Sequence, residues 1–224
     1  MADENKALVR RWFDEVLTQG NLQRVDKFLT PNYVLHDSNI PQEVRGREDI
    51  KRHVTAYRTA YPDASFAVED QITEGDMVVT RWSAHGTHQG EFLGIPPTGS
   101  WVTMTGIEFD RVVGGRIDEG WVSYHLFTDS VLDLERAEQA FATMYYAFPD
   151  LRMAQADSVT EADKIAFRWM MSGTHEGEFM GVAPTGKLVT VMGMDIVRVL
   201  DGEILEYWGE FDVMNMLRQL GVTP

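Results

Sequence analysis

The stretch TEGDMVVTRWSAHGTHQGEFLGIPPTGSWVTMTGIEFDRVVGGRIDEGW, residues 73–121, decides the fold because the chain repeats it. Residues 160–208 read TEADKIAFRWMMSGTHEGEFMGVAPTGKLVTVMGMDIVRVLDGEILEYW and align with it without a gap, at an offset of 87 positions. About half of the aligned positions are identical, which no short motif gives by chance. The sequence therefore predicts a tandem duplication of one structural unit.

The two copies differ at their ends. The first copy begins with about forty residues, from Met1 to about Val44, that the second copy lacks. We therefore predict a complete α+β barrel over residues 1–130 and a truncated repeat, without the first two helices and the first strand, over residues 131–224. The open side of the truncated copy would expose apolar surface, which costs about 25 cal/mol per Å². An internal pseudo-dimer is the predicted solution, and a homodimer that exchanges segments is the alternative.

Apolar periodicity and turn residues predict the secondary structure. In the first copy we predict helices over 5–19, 22–29 and 46–60, and strands over 33–35, 65–72, 77–88, 101–112 and 116–126. In the second copy we predict helices over 133–147 and 212–219, and strands over 152–159, 164–175, 188–199 and 203–211. The predicted fold class is α+β, a cone-shaped, curved antiparallel sheet with helices on its open side and an apolar pocket inside.

The composition excludes several classes of function. The chain has 224 residues and a formal net charge of −15, which argues against a nucleic-acid or anionic membrane partner. It contains no apolar run near the ~20 residues that a membrane span needs. The charged N-terminus has no signal-peptide pattern, and the chain has no cysteine, so the cytoplasm is the expected compartment.

Three motifs carry a resemblance to a known family. They are GTHQGEFLGIPPTG (86–99) with GIEFDRVVGGRIDEGW (106–121), their counterparts GTHEGEFMGVAPTG (173–186) and GMDIVRVLDGEILEYW (193–208), and the closing MLRQLG (216–221). Together they resemble the SnoaL-like polyketide cyclases, also called ester cyclases, of the nuclear transport factor 2-like superfamily. The resemblance implies a cone-shaped α+β barrel and ring closure by intramolecular aldol condensation of a polyketide ester. It also implies that neither a cofactor nor a metal takes part.

The sequence departs from this family at the expected catalytic positions. The resemblance implies an aspartate as general acid/base in an apolar cavity, where desolvation raises its pKa. That aspartate usually follows the tryptophan of the E-x-W motif, where this chain has Val122 and Gly209. A family histidine on the neighbouring strand matches Glu108 in the first copy and Asp195 in the second. Neither copy therefore keeps the cyclase pair.

Glu108 is the predicted general base, and Asp195 is its candidate counterpart in the second copy. Each lies in the middle of a predicted strand between apolar residues. If the side chains point into the cone, each is a carboxylate in a region of low dielectric constant, with a raised pKa. The alternative is an outward-facing carboxylate on an interface.

Three further residues are candidates in the first copy. His36, after the first strand, has an ordinary pKa near ~6.5 and could move protons, although it could also be an exposed loop residue. Asp118 shares a predicted strand face with Gly120 and Val122 and is a second candidate acid, unless it is only a turn residue. His125 is a candidate ligand contact at the mouth of the cone or a residue at a strand end.

A flat, partly aromatic ligand would suit the aromatic residues of the first copy. The predicted ligand-binding residues besides His125 are Trp12, Tyr33, Tyr57 and Trp82. Plain core packing is the alternative for all four. The six histidines show no metal-binding spacing, so we predict no metal and no cofactor.

We predict a cofactor-free cyclase or isomerase of secondary metabolism that acts by general acid/base catalysis on a small apolar carbonyl or polyketide ester compound. Glu108 would be the base, with His36 or Asp118 assisting. The first alternative is a non-catalytic protein that binds a small molecule or acts as a scaffold. The second is an epoxide hydrolase-like enzyme, which needs an Asp-Arg-Asp constellation inside the cone.

Overall fold

The structure is a computed structural model that describes residues 1–37, 39–40, 43–126 and 134–222, without the side chains of residues 125–126 and 134–136. The chain divides into two compact units, Met1–Asp129 and Ser130–Pro224, which we call unit 1 and unit 2. The predicted link over 128–133 and the predicted boundary after residue 130 lie outside the described residues.

Unit 1 contains three α-helices and six strands within its described residues. The helices are α1 (Ala2–Trp12), which continues as a π-helical turn (Phe13–Thr18), α2 (Val25–Phe28), which follows a 3₁₀ turn (Leu22–Arg24), and α3 (Gly46–Ala60). The strands are β1 (Leu29–Asp37), β2 (Val44–Arg45), β3 (Ser65–Glu74), β4 (Met77–Thr87), β5 (Trp101–Val113) and β6 (Arg116–Leu126).

The six strands form one sheet in the order β2-β1-β6-β5-β4-β3. Neighbouring strands are antiparallel except β1 and β6, which pair in parallel. The β5–β6 hairpin closes through Gly114 and Gly115, whose φ angles of 57° and 72° are those of a tight hairpin turn. The sheet is open, with β2 and β3 at its edges, rather than a closed barrel.

The helices of unit 1 bury apolar stripes against one face of this sheet. Helix α3 places Ile50, Val54 and Tyr57 on one side at helical spacing, and all three are buried. It ends before Pro62, where a helix can no longer continue. The same core cluster includes Trp12 and Phe13 from the first helix, so the helices and the sheet enclose one apolar interior.

Unit 2 repeats the second half of this plan. Its described elements are α4 (Leu134–Ala147), β7 (Arg152–Glu161), β8 (Lys164–Thr174), β9 (Leu188–Leu200), β10 (Glu203–Phe211) and α5 (Val213–Leu220). The four strands form an antiparallel sheet in the order β10-β9-β8-β7. Helix α5 is capped by the Asp212 side chain, which accepts a hydrogen bond from the backbone N–H of Asn215.

The α+β fold class and the tandem duplication with a shortened second copy are confirmed. Helix α3 and strand β6 have the predicted bounds, and most other strands differ by one or two residues. The main difference is β1, which was predicted over 33–35 and extends over nine residues. Its parallel pairing with β6 lengthens it, and local sequence does not reveal that pairing.

Candidate functional site

A cavity lies between the helices and the sheet of unit 1. Its free space, measured out to the mouth, is about 690 Å³. Most of its wall is apolar, and the aromatic residues that line it are Trp12, Tyr33, Tyr57, Tyr61, Phe66, Trp82, Phe92 and Tyr124. The titratable groups other than tyrosine that line it are Asp37, His53 and Glu108. Such a space, apolar with a few convergent polar groups, is the usual form of a small-molecule site.

Strand pairing places the carboxylates of the cavity in one row across the sheet. Glu108 of β5 lies opposite Val122 of β6, and Val122 in turn lies opposite Asp37 of β1. On its other side, Glu108 lies opposite Thr80 of β4, which is fully buried. Asp37 and Glu108 therefore flank Val122, one strand away on each side.

Glu108 forms a pair with Asp110, two residues further along the same strand face. Asp110 is completely buried and Glu108 is 6% exposed. Burial raises the pKa of Glu108 well above its ordinary value, and the charges of Asp110 and Asp37 raise it further. Burial also raises the pKa of Asp110, while its hydrogen bond with Glu108 lowers it. Both carboxyl groups therefore hold their protons to higher pH than an ordinary carboxyl group does.

Hydroxyl groups surround this pair and Asp37. Asp37 accepts hydrogen bonds from the backbone N–H of Asn39 at 2.9 Å and from the Tyr124 hydroxyl at 3.4 Å. The Tyr33 hydroxyl reaches over Gly120, where a Cβ atom would lie only 2.5 Å from it. Burial is the larger cause of the raised pKa of Tyr33, and the charges of the neighbouring carboxylates add to it, so this phenol stays protonated. The site thus combines acidic and hydroxyl groups in an apolar space.

Helix α3 adds His53 to the wall opposite the sheet. Burial lowers the pKa of His53 to about 4, so its imidazole is neutral at physiological pH. Its ring lies edge-on to Tyr57, whose hydroxyl donates a hydrogen bond to the carbonyl of Leu17. Leu17 belongs to the π-helical turn, and both Leu17 and Tyr57 line the cavity.

Trp82 of strand β4 lines the cavity. Its ring packs onto Gly106, with the Cε2 atom 2.5 Å from the place of a Cβ atom, so only glycine fits beneath it. The residue is 5% exposed, and among the residues that the structure describes its Nε1–H has no hydrogen-bond acceptor. A buried N–H without an acceptor costs free energy, so an oxygen acceptor at this group would be stabilising.

Unit 2 has a smaller counterpart of this site around Asp195. Asp195 accepts hydrogen bonds from Trp169 Nε1 at 2.7 Å and from the Tyr207 hydroxyl at 2.8 Å. Burial raises the pKa of Asp195 to about 7, although both hydrogen bonds oppose that shift. The free space beside it is about 370 Å³ and is also lined by Phe141 and Phe211. The acid of unit 2 therefore has internal partners on both of its oxygens.

His36 lies on the face of β1 opposite to the cavity, in contrast to its predicted position. Its Nε2 is 2.9 Å from Glu119 Oε1, its Nδ1 is 3.4 Å from Glu43 Oε1, and its ring stacks on Trp121 at 5.3 Å. Side chains alternate along a strand, so Tyr33 and Asp37 face the cavity while His36 faces away. This placement does not favour the predicted catalytic role of His36.

Asp118 also lies away from the cavity, and a β-bulge is the reason. Arg111 pairs with Glu119 and Val112 pairs with Ile117, so Asp118 has no partner residue opposite it. The extra residue breaks the alternation that would have placed Asp118 on the face of Gly120 and Val122. Its carboxylate instead accepts a hydrogen bond from the Thr30 hydroxyl at 2.7 Å.

The other predicted residues have the following places. Trp12, Tyr33, Tyr57 and Trp82 line the cavity of unit 1 together with Glu108, and Asp195 lines that of unit 2. His125 belongs to strand β6, but its side chain lies outside the described part of the chain. Ligand binding by these residues stays a prediction.

Sequence reasoning missed Asp37, Asp110 and His53, although signals for them existed. Asp37 is four residues from Tyr33, and Asp110 is two residues from Glu108. Because side chains alternate along a strand, an even spacing places each pair on one strand face. His53 lies three residues after Ile50 on the apolar side of α3, where helical spacing brings it to the core.

Comparison with known proteins agrees with this architecture. A family model described as SnoaL-like polyketide cyclase matches residues 7–130 and, a second time, residues 129–220. The chain belongs to the SnoaL-like polyketide cyclase family. Both matches together cover almost the whole sequence, so the duplication is a duplication of this family's domain.

Individual relatives of this SnoaL-like protein match only part of the chain, at about 30% identity or less. Aklanonic acid methyl ester cyclase AcmA from Streptomyces galilaeus is 31% identical over 72 residues, which are 32% of this chain and 50% of that protein. The chain thus spans half the length of this curated relative. A proposed polyketide cyclase from Acidithiobacillus ferrooxidans is 30% identical over 54% of this chain and 87% of its own, with a TM-score of 0.49.

A proposed SnoaL-like polyketide cyclase from Jannaschia Sp. CCS1 shares the fold. It is 24% identical, covers 64% of this chain and 91% of its own, and has a TM-score of 0.51. In the described ranges of the SnoaL-like protein, no helix has the length and apolar character to span a membrane.

Proposed function

We propose that unit 1 is a cofactor-independent cyclase or isomerase of secondary metabolism, which acts on a small apolar carbonyl compound or polyketide ester. The observation that carries this proposal is the Glu108–Asp110 pair, because its Glu108 member faces an apolar cavity. Membership of a polyketide cyclase family supports it. The local similarity to AcmA, whose name describes a methyl ester cyclase, supports an ester of a polyketide acid as the substrate class.

Glu108 is the proposed general base. In its ionised form, Glu108 removes a proton from the carbon next to a substrate carbonyl. The electron pair of the C–H bond moves onto the carbonyl oxygen and gives an enolate. In a cyclisation, the enolate carbon attacks a second carbonyl of the same molecule, a C–C bond forms, and Glu108 returns its proton to the new alkoxide. An isomerisation would instead return the proton to another carbon.

The row of residues across the sheet supports this assignment. The resemblance to the family places a catalytic aspartate at Val122, where this chain has no acid. Glu108 and Asp37 lie directly beside Val122 on the two neighbouring strands. A carboxylate therefore faces the same part of the cavity from an adjacent strand, which preserves acid/base chemistry at a slightly different position.

Substitution of Glu108 tests this proposal. Purified protein is incubated with aklanonic acid methyl ester, and ring closure is followed by chromatography because the aldol step leaves the mass unchanged. Glu108→Gln should lower kcat/KM by about 10²–10⁴-fold, the usual range for loss of a general base. Asp195→Asn changes the equivalent acid of unit 2 and is the matched control, which should keep the activity.

Two outcomes contradict this mechanism in different ways. If Glu108→Gln retains the wild-type rate, another group is the base. If the wild type binds the ester without turning it over, the non-catalytic binding protein becomes the better description, and the valine at position 122 favours that alternative. The epoxide hydrolase alternative has less support, because the described residues that line the cavity include no arginine.

A further inference from the structure

Trp82 and Trp169 occupy equivalent positions in the two units and have the same orientation. Each indole packs on a glycine of the neighbouring strand, Gly106 in unit 1 and Gly193 in unit 2. In both cases the ring atom Cε2, which is bonded to the nitrogen Nε1, lies 2.5 Å from the place of the glycine Cβ. The two N–H groups therefore point to equivalent places in their cavities.

The two N–H groups differ in what they meet. In unit 2, Trp169 Nε1 donates to Asp195 Oδ2 at 2.7 Å. In unit 1 the equivalent acid is Glu108, and within the described residues it does not accept a hydrogen bond from Trp82. The Glu108 carboxyl is instead paired with Asp110, whose counterpart in unit 2 is Val197. Unit 1 thus has a buried donor in a cavity wall, at the place where unit 2 shows an oxygen acceptor.

We propose that the ligand of unit 1 presents a carbonyl oxygen to Trp82 Nε1, in the position that the Asp195 carboxyl oxygen occupies in unit 2. A ligand oxygen at this place completes the hydrogen bonding of the indole, which otherwise costs free energy in an apolar wall. The remainder of the ligand lies against the aromatic residues of the same cavity, such as Trp12, Tyr57 and Phe66.

This inference rests on the proposed function and adds a second catalytic group to it. When Glu108 removes the proton next to the carbonyl, the electron pair moves to the oxygen that Trp82 holds. The oxygen becomes more negative, so its hydrogen bond to the indole strengthens in the transition state. Because Trp169 Nε1 already donates a hydrogen bond to Asp195, the indole of unit 2 has no equivalent role.

Binding of two matched probes tests the inference without any need for turnover. One probe is 2-acetylnaphthalene, and the other is 2-isopropenylnaphthalene, in which a =CH₂ group replaces the carbonyl oxygen. The ketone should bind about tenfold more tightly than the hydrocarbon, as expected for one hydrogen bond to a buried donor. Calorimetric titration gives both affinities and the number of ligands for each chain.

Nuclear magnetic resonance with ¹⁵N-labelled tryptophan locates the contact. The ketone should shift the Trp82 indole N–H signal downfield and leave the Trp169 signal in place, while the hydrocarbon should produce no such downfield shift. Trp82→Phe assigns the signal and should abolish the tenfold preference for the ketone. Trp169→Phe is the matched control and should preserve that preference.

The inference is overturned if the wild type binds the two probes equally, if it binds neither, or if the preference survives in Trp82→Phe. If Trp82→Phe fails to fold, single Trp→Phe substitutions at the other five tryptophans assign the Trp82 signal by elimination, and the wild-type spectra then decide the matter. Failure of the proposed function gives a different pattern. In that case the ketone preference and the Trp82 signal shift remain, while either the wild type shows no turnover of the ester or Glu108→Gln leaves turnover unchanged.

Discussion

The cavities of unit 1 and unit 2 share the same arrangement of tryptophan, glycine and acid, but the acids have different hydrogen-bond partners. Both have a tryptophan packed on a glycine and an acid two residues further along the same strand. In unit 1, Tyr33 of β1 brings a hydroxyl over Gly120. In unit 2, which lacks a counterpart of β1 in its described residues, the position of Gly120 is Tyr207, and its hydroxyl binds Asp195. A tyrosine from the sheet itself thus supplies the hydroxyl that the missing strand would have carried.

This difference shows how the buried acid of the shortened unit 2 obtains hydrogen-bond partners from within its own sheet. Tyr207 and Trp169 satisfy both oxygens of Asp195, so the buried acid of unit 2 needs no ligand. The free space beside it is about 370 Å³, against about 690 Å³ in unit 1. Unit 1 has a larger cavity, a second carboxyl group and, among the residues that the structure describes, a buried donor without an acceptor.

The largest expected effect concerns the pH dependence of activity in unit 1. An ionised Glu108 is required, and its pKa is raised by burial and by the charge of Asp110, so activity should fall as pH drops through that raised pKa. Below the midpoint the loss is about tenfold for each pH unit. Asp110→Asn removes the neighbouring charge and should move this limb of the kcat/KM profile to lower pH.

The matched control is Asp195→Asn, which should leave the acidic limb of the kcat/KM profile at the same pH as in the wild type. A limb that stays in place in Asp110→Asn would show that the two carboxyl groups do not titrate together. The distinction between unit 1 and unit 2 would then lose its electrostatic basis.

A smaller effect concerns the stability of unit 2. The folded-state pKa of Asp195 is about 7 against an ordinary value of 3.8, so between these values the folded protein holds a proton that the unfolded chain has released. The contribution of Asp195 to stability is therefore complete below about pH 4 and is lost as pH rises to about 7. Asp195→Asn removes this dependence, and the free energy of unfolding of the variant relative to wild type should rise by about 4 kcal/mol across that window.

Urea denaturation at several pH values measures this difference. Asp201→Asn, a change in the exposed β9–β10 turn, is the control and should leave the pH dependence of stability unchanged. If the relative stability of Asp195→Asn does not change with pH, Asp195 is ionised in the folded protein, and its hydrogen bonds outweigh its burial.

The smallest expected effect compares the two tryptophans. Trp82→Phe and Trp169→Phe remove the same ring volume from similar glycine-backed positions, with the tryptophans 5% and 7% exposed. Only Trp169→Phe also leaves an oxygen of Asp195 without its donor, so it should cost about 1–3 kcal/mol more stability. Equal losses in thermal or urea unfolding would show that the Trp169 hydrogen bond contributes nothing, and would weaken the contrast with Trp82.

The sequence by itself determined the duplication, the fold class and most element bounds. Helix α3 could be predicted from its apolar stripe and from Pro62, and the hairpins from glycine pairs such as Gly114–Gly115. These features depend on residues that are close in the chain. The inward position of Glu108 was also predictable, although through the family resemblance rather than through strand alternation alone.

Only the tertiary structure decided which polar residues meet in the cavity. Strand β1 directs Asp37 rather than His36 into the cavity. This facing is fixed by the pairing of β1 with β6, which lies more than eighty residues away in the chain. The bulge at Asp118 changes the facing of one strand relative to its neighbour, and a shift of one residue inverts every side chain. Only the structure shows that Trp169 donates to Asp195, whereas Trp82 has no acceptor among the described residues. Such contacts join distant residues, so no local pattern encodes them.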